Sequence, residues 1–266
     1  MMRYKIFLIS ILLTAVSLTA HAQADDRLVT NVQSIGIGAS NILDTYLSPE
    51  KYKGVEVRYI SHTTRHLSDQ WKELLIHQGI FSNSSTRSDD NTEQMGMYIF
   101  DYGKYKLLKQ TDRLRLFVGG MAEIGGGFLY NSHNTNNPAQ GRLYLNISPS
   151  IFGEYDFTLF RKTLKARYEL TVPLLGAMFS PNYGQSYYEI FSEGNYDHNV
   201  VFTTPFNAPS MRHSISVDIP FSRVDLRIGY LGDYQQAKVN NLKYHTYSHL
   251  LTIGIVRTFT IHPITK

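Results

Sequence analysis

Residues 60–68 read ISHTTRHLS, with His62, His66, Ser61 and Ser68 inside nine positions. Two imidazoles suggest a metal site, since neutral histidine nitrogen is a common zinc ligand. His66-Leu67-Ser68 sets a base two residues from a hydroxyl, the pairing that activates a serine nucleophile. Ser88-Asp89-Asp90-Asn91, with Glu93 beyond it, offers hard oxygens to calcium. Gly125-Gly126-Gly127 invites comparison with a phosphate cradle. His133, Asp197 and His198 complete the reactive types, without a recognisable spacing. Which of these chemistries is open depends on where the side chains point, and so on the elements that carry them.

The 266-residue chain opens MMRYKIFLISILLTAVSLTAHAQA. Arg3 and Lys5 precede an apolar run from Ile6 to Leu18, and Ala20-His21-Ala22 is a small-x-small cleavage site. This predicts a secretory signal peptide over residues 1–22 and one mature domain over 23–266. An apolar run of about 13 residues is too short to span a bilayer as a helix. The chain has no cysteine, so an exported fold must draw its stability from a large core or from the membrane. Without Arg3 and Lys5, 24 of the 26 basic side chains remain against 22 acidic ones, scattered rather than clustered. That pattern leaves no footprint for nucleic acid. Nineteen tyrosines, fourteen phenylalanines and a negative mean hydropathy point to a transmembrane β-barrel or a soluble periplasmic β protein.

Periodicity separates these two. In RLRLFVGGMAEIGGGFLY, residues 113–130, the even positions run from Leu114 to Tyr130 without a charge, while Arg113, Arg115 and Glu123 are odd. Leu164, Ala166, Tyr168 and Leu170 alternate with Lys165, Arg167 and Glu169. Leu143, Leu145, Ile147 and Ile151 oppose Arg142, Asn146, Ser148 and Glu154, and Val224, Leu226, Ile228 and Tyr230 oppose Asp225 and Arg227. Side chains alternate faces along a strand, so each segment has one apolar face. The runs are about 10–18 residues long, against about 5–6 for ordinary strands and about 9–11 for a tilted membrane strand.

Ten strands are predicted, at 29–41, 54–66, 71–82, 93–106, 113–130, 142–157, 163–178, 211–219, 223–236 and 244–260. The third, fourth and tenth have the least distinct faces. Short connections after the second, fourth, sixth and eighth strands alternate with mostly longer polar ones, as in outer-membrane barrels with short periplasmic turns. A hairpin formed by SYYEIF and NVVFTT, in the long seventh connection, would raise the count to twelve. The apolar face is assigned to lipid and the polar face to the lumen, with Tyr59, Tyr130, Phe157 and Tyr230 near the membrane interfaces.

On this assignment, His62 and His66 share a face with Glu56 and Arg58. Four residues along a strand separate their Cα atoms by about 13 Å, too far for these two to make a compact metal site. His66-Leu67-Ser68 is similar to the His-x-Ser element of outer-membrane phospholipase A over three residues. That resemblance implies a pair facing lipid, whereas parity here puts it on the charged face with Ser68 at a periplasmic turn. The glycine run lies within a strand, where it relieves crowding or bends the wall. The lumen-lining candidates are therefore Glu56, Arg58, His62, His66, Arg113, Arg115, Glu123, Arg167, Glu169 and Arg227. No catalytic residue, metal or cofactor is assigned.

Ser186–Phe191 (SYYEIF), Arg227–Leu231 (RIGYL) and Val239–Tyr244 (VNNLKY) resemble an uncharacterised family of outer-membrane β-barrel proteins from Bacteroidetes. The likeness covers most of the mature chain and implies location and fold, with no catalytic or ligand residues. Seven residues follow Phe259, a departure from the terminal aromatic of many such barrels. The expected architecture is all-β: an antiparallel transmembrane barrel of about ten strands, twelve possible, following a cleaved signal peptide and exported to the outer membrane. Its expected role is non-enzymatic, as a narrow channel or a structural or surface barrel, with membrane lipid as its partner. The alternatives are a lipid hydrolase of phospholipase or lipid A deacylase type and a soluble periplasmic β protein.

Overall fold

The computed structural model describes residues 27–261 except 89, 135–137 and 223. The predicted signal peptide lies outside the described residues. Seven strands come first: β1 (Arg27–Asp44), β2 (Tyr52–His66), β3 (Trp71–Ser85), β4 (Thr92–Gln110), β5 (Leu114–Asn131), β6 (Ala139–Leu159) and β7 (Lys162–Thr171). β8 (Leu175–Phe179), a short helix α1 (Tyr187–Phe191) and β9 (Val200–Thr203) follow. β10 (Met211–Pro220), β11 (Asp225–Val239) and β12 (Leu242–Ile261) complete the chain.

Neighbouring strands pair antiparallel from β1 to β7, and β7 then pairs with β10. β10, β11 and β12 continue the ring, which closes where β12 meets β1 from Arg27↔Ile261 to Asp44↔Tyr244. Ten strands thus form a closed antiparallel barrel. β8 and β9 are additional short strands on the loop side of the wall, paired β6–β8 and β8–β9. Closure pairs each of the ten long strands on both sides over most of its length, as β structure in lipid requires.

The faces follow the sequence pattern. Outward side chains include Ile35, Ile37, Val57, Phe81, Ile124, Leu145, Ile215, Leu251 and Ile253, and Leu251 alone is 73% exposed. A water-soluble barrel does not carry an apolar belt around its whole girth. An aromatic band borders the belt. Tyr230 Oη lies 2.6 Å from His249 Nδ1, and the His213 ring stacks on Tyr234 at 5.7–6.0 Å from its Tyr230 and Tyr234 neighbours.

The inner face is less uniformly polar than expected. Leu74, Ile76, Tyr105, Phe117, Met121 and Phe152 form one apolar layer, and Ile42, Ile80, Met95, Met97, Ile99 and Leu129 form another. Most of these belong to β3, β4 and β5. Strands apolar on both sides show weak alternation, which is why the third and fourth strands were the hardest to read.

Two connections differ from expectation. β11 and β12 run on to a two-residue turn at Asn240-Asn241, with φ of 51° and 62°. Asparagine tolerates this left-handed backbone, and paired left-handed residues make the turn that suits strand twist. SYYEIF does not pair with NVVFTT. Tyr187–Phe191 is helical, whereas Val200–Thr203 is β9 and pairs with β8. Ser186 caps α1: its Oγ accepts from Glu189 N–H at 3.2 Å, and its own N–H donates to Glu189 Oε2 at 2.6 Å. The Ser186 N–H, together with its hydroxyl, which donates to Glu189 Oε2 at 2.9 Å, holds the Glu189 carboxyl below its usual pKa range.

Candidate functional site

Every strand contributes side chains to the interior, and these meet in charged layers separated by the apolar ones. The middle layer centres on two arginines. Arg58 on β2 donates from Nε to Glu56 Oε1 at 2.8 Å, and from Nη1 to Gln78 Oε1 at 3.0 Å and Asp233 Oδ2 at 2.8 Å. Arg212 on β10 reaches Asp233 Oδ2 at 3.3 Å, Asp101 Oδ2 at 3.1 Å and Glu123 Oε2 at 2.5 Å. Asn146 donates to Glu123 at 2.9 Å, Gln78 to Asp101 at 3.0 Å and Ser248 to Glu56 at 2.5 Å. The network joins residues of β2, β3, β4, β5, β6, β10, β11 and β12. Four carboxylates share two guanidiniums, so the layer is acidic and needs both arginines.

A second layer lies toward the short-turn end. Lys72 Nζ donates to both Glu154 oxygens at 3.1 Å, and Arg167 Nη1 to Glu154 Oε1 at 2.9 Å. Arg167 also pairs with Glu169, and His62 Nε2 stands 3.2 Å from Glu169 Oε1. Arg115 bridges Glu154 and Asp156, while Arg227 donates from Nε to Asp218 at 2.6 Å. Phe117 and Phe152 lie under the cations, with Lys72 Nζ 4.3 Å from the Phe117 centroid and Arg167 4.1 Å from that of Phe152. Cations over ring faces gain further attraction where water is scarce.

At the opposite, loop end, Arg142 pairs with Asp44 and lies 3.4 Å over the Tyr244 ring. Tyr52 accepts from Asn91 at 2.7 Å and Asn131 at 2.8 Å. α1 folds over this end: Tyr187 Oη donates to Gln140 at 2.9 Å, and Gly141 N–H donates to Tyr187 at 2.6 Å.

Of the ten sequence-chosen positions, Glu56, Arg58, Glu123, Arg167, Glu169 and His62 sit within these layers, and Arg115 and Arg227 sit at their margin. His66 is half-buried across the ladder from Lys72. Arg113 is exposed in the turn before β5, away from the charged layers. The candidates do not include Arg212, Asp233, Asp101, Lys72 and Glu154, although Glu154 lies on the face assigned to the lumen. All have inward parity, and while Arg212–Asp233 and Glu154–Arg167 are neighbours within a hairpin, others meet across the barrel, with Arg212 and Asp101 separated by 111 residues.

The other motifs have local uses. Ser68 is exposed, and its Oγ accepts from Gln70 N–H at 3.3 Å and Trp71 N–H at 3.2 Å, holding the β2–β3 turn. Asp90 Oδ1 accepts from Thr86 at 2.9 Å and Ser88 at 2.7 Å; Asp89 is outside the described residues. Among the described residues, no group of three or more His, Asp or Glu side chains is placed to hold a metal. A Cβ on Gly125 would fall 2.2 Å from the Tyr144 ring, so this glycine admits a tyrosine rather than a phosphate.

Closed wall, apolar belt and charged interior together define a membrane-spanning β-barrel. Within that class, the chain belongs to a family described as proteins of unknown function, DUF3316, whose model matches residues 4–264. No curated protein matches it. Among solved structures, it is similar to the outer-membrane protease OmpT from Escherichia coli, with 8% identity and a TM-score of 0.45 over 91% of this chain and 100% of that one. The translocator domain of the autotransporter NalP from Neisseria meningitidis shares 11% identity, with a TM-score of 0.36 over 96% of each chain. An outer-membrane channel from Pseudomonas putida F1 shares 10% identity, with a TM-score of 0.36 over 90% of this chain and 97% of that one. None is similar enough to carry a function across.

Proposed function

We propose that this protein is a non-enzymatic outer-membrane barrel, delivered by a signal peptide, whose lumen is closed at mid-height. It serves a structural or surface role rather than that of an open porin. The observation that carries this reading is the Arg58–Asp233–Arg212–Glu123 chain of ion pairs, which spans the interior between 2.5 and 3.3 Å contacts. An eight-stranded barrel is just filled by side chains and a sixteen-stranded one holds water, so ten strands favour closure. The assignment to barrels of Bacteroidetes rests on the SYYEIF, RIGYL and VNNLKY segments.

A second reading has an observation of its own. Cavities of about 70 and 90 Å³ lie on the two sides of the Arg58–Arg212 layer. They favour a narrow channel that conducts once these arginines move.

Conductance of the refolded protein in a planar bilayer distinguishes the two. Closure predicts silence from the wild type, with steps in Arg58→Ala and Arg212→Ala. Reproducible steps from the wild type would establish the channel and end the purely structural reading. Silence in all three proteins, each shown to be inserted, would mean that the arginine layer is not what closes the barrel.

A further inference from the structure

The wall is interrupted beside β7. β7 and β8 follow one line along β6, with Pro173 between them. On the β6 side the line stays bonded: Val172 N–H donates to Pro149 at 3.3 Å and Leu174 N–H to Ile147 at 3.0 Å. On the other side, pairing with β10 stops at Thr171↔Arg212, and pairing with β9 starts only at Gly176↔Thr203. On that side residues 172–175 therefore face no strand among the described residues. The segment that would have covered them turns away to β11, where Lys238 N–H donates to Asn207 at 2.7 Å and Gln236 N–H to Ser210 Oγ at 3.2 Å. The face alternation also slips by one here. Arg167 and Met178 are both buried though eleven residues apart, whereas strict alternation would put them on opposite faces.

A cavity of about 70 Å³ lies directly behind this cleft. Pro173, Leu175, Thr203 and Ala208 bound it at the cleft, and Met95, Met97, Met178 and Tyr144 bound it further in. Leu143 and Leu174, at the outer rim, are 57% and 46% exposed and belong to the lipid-facing surface. The route from bilayer to cavity is therefore mostly apolar on the β6–β8 side, through Leu143, Leu174, Leu175 and Met178, with Thr203 and Ser210 on the opposite side. Methionine side chains are flexible enough to enlarge such a space around a guest. One polar group remains unused inside. Arg142 lines the cavity with its side chain 5% exposed, and its Nε has no hydrogen-bond partner among the described residues. Asp44 already balances its charge, and Glu93 lies nearby as a further carboxylate. An anionic guest would meet that surplus of negative charge, whereas a neutral acceptor oxygen would not.

We propose that the cleft between residues 172–175 and the 204–210 segment is a lateral entry for a neutral single-chain amphiphile from the bilayer. Its acceptor oxygen takes the Arg142 Nε–H, and its alkyl chain trails past Leu175 into the lipid. The cavity is about half the ~150 Å³ that takes up benzene, so it suits a head with a few methylenes rather than a two-chain lipid. This inference rests on the chain being embedded in lipid.

The test is photolabelling in phospholipid vesicles with dodecanol carrying a diazirine near its hydroxyl, followed by peptide mapping. The wild type should label at Met95, Met97 or Met178, as well as on the outward belt at Leu251 and Ile253. Ala208→Trp or Ala237→Trp, each confirmed folded by heat-modifiable migration, should remove the cavity label and leave the belt label. Arg142→Lys should lower cavity labelling by about fivefold, the worth of one ordinary hydrogen bond. Belt labelling without cavity labelling in the wild type would overturn the entry route and leave the membrane reading intact. Cavity labelling that survives both tryptophan variants would also overturn it. An unlabelled belt would remove the membrane reading and this inference with it.

Discussion

Arg212 has the most to lose from substitution. It contacts Asp101, Glu123 and Asp233, which retain 5% or less of their side-chain exposure. Removing one partner from buried ion pairs strands charge where water cannot reach it. Arg212→Met should therefore destabilise the barrel by about 3–5 kcal/mol, read from reversible urea unfolding in vesicles. Exposed Arg113 makes the control: Arg113→Ala should stay within about 0.5 kcal/mol. Ser68→Ala tests the hydrolase alternative. It should cost about 0.5–1.5 kcal/mol through the turn bonds. Lysolipid release should be at the protein-free background in both wild type and variant; release that disappears with Ser68 would restore a catalytic site there. At this scale, strand parity in the sequence was enough to indicate Glu56, Arg58, Glu123, Arg167 and Glu169. Glu56–Arg58 and Arg167–Glu169 pair two residues apart on their own strands, but the sequence could not supply the cross-barrel partners Asp233 of Arg58 and Arg212 of Glu123.

Among the elements, the β6–β7 turn departs most from good turn chemistry. Phe160 and Arg161 adopt φ of 49° and 63°. Side chains with a Cβ resist the left-handed region, and Asn-Gly is the favoured pair for such a turn. Phe160→Asn with Arg161→Gly should stabilise the barrel by about 0.5–1 kcal/mol, measured as a shift in the urea midpoint at unchanged slope. A loss of stability would mean that the exposed Phe160 ring has a contact of its own. The strands themselves were legible from period two, because one apolar face must meet lipid. The hairpin alternative for SYYEIF gives way to α1, although Ser186-x-x-Glu189 is the spacing of a capping box. Tyrosine-rich composition obscured that signal. The gap at Pro173 was equally visible as a residue and equally unread, since a proline in a strand shows where pairing fails but not which neighbour is missing.

The whole molecule is a belt outside and alternating charged and apolar layers inside. Ile37 is on the belt, paired between Val57 and Leu251. Ile37→Arg should destabilise by about 2–4 kcal/mol if that height lies at the bilayer midplane. An effect below about 1 kcal/mol, by the same unfolding measurement, would place Ile37 at an interface instead. The ring has one further consequence, in its seam. β1 and β12 hold each other along eighteen registered pairs, so the first strand made has its partner in the last. Contact order is correspondingly high, and closing so long a chain segment is slow. Synthesis releases β1 well before β12, and through that interval β1 has one edge without a mate. A nonsense mutation that removes β12 should yield aggregate or degradation products rather than a nine-stranded barrel.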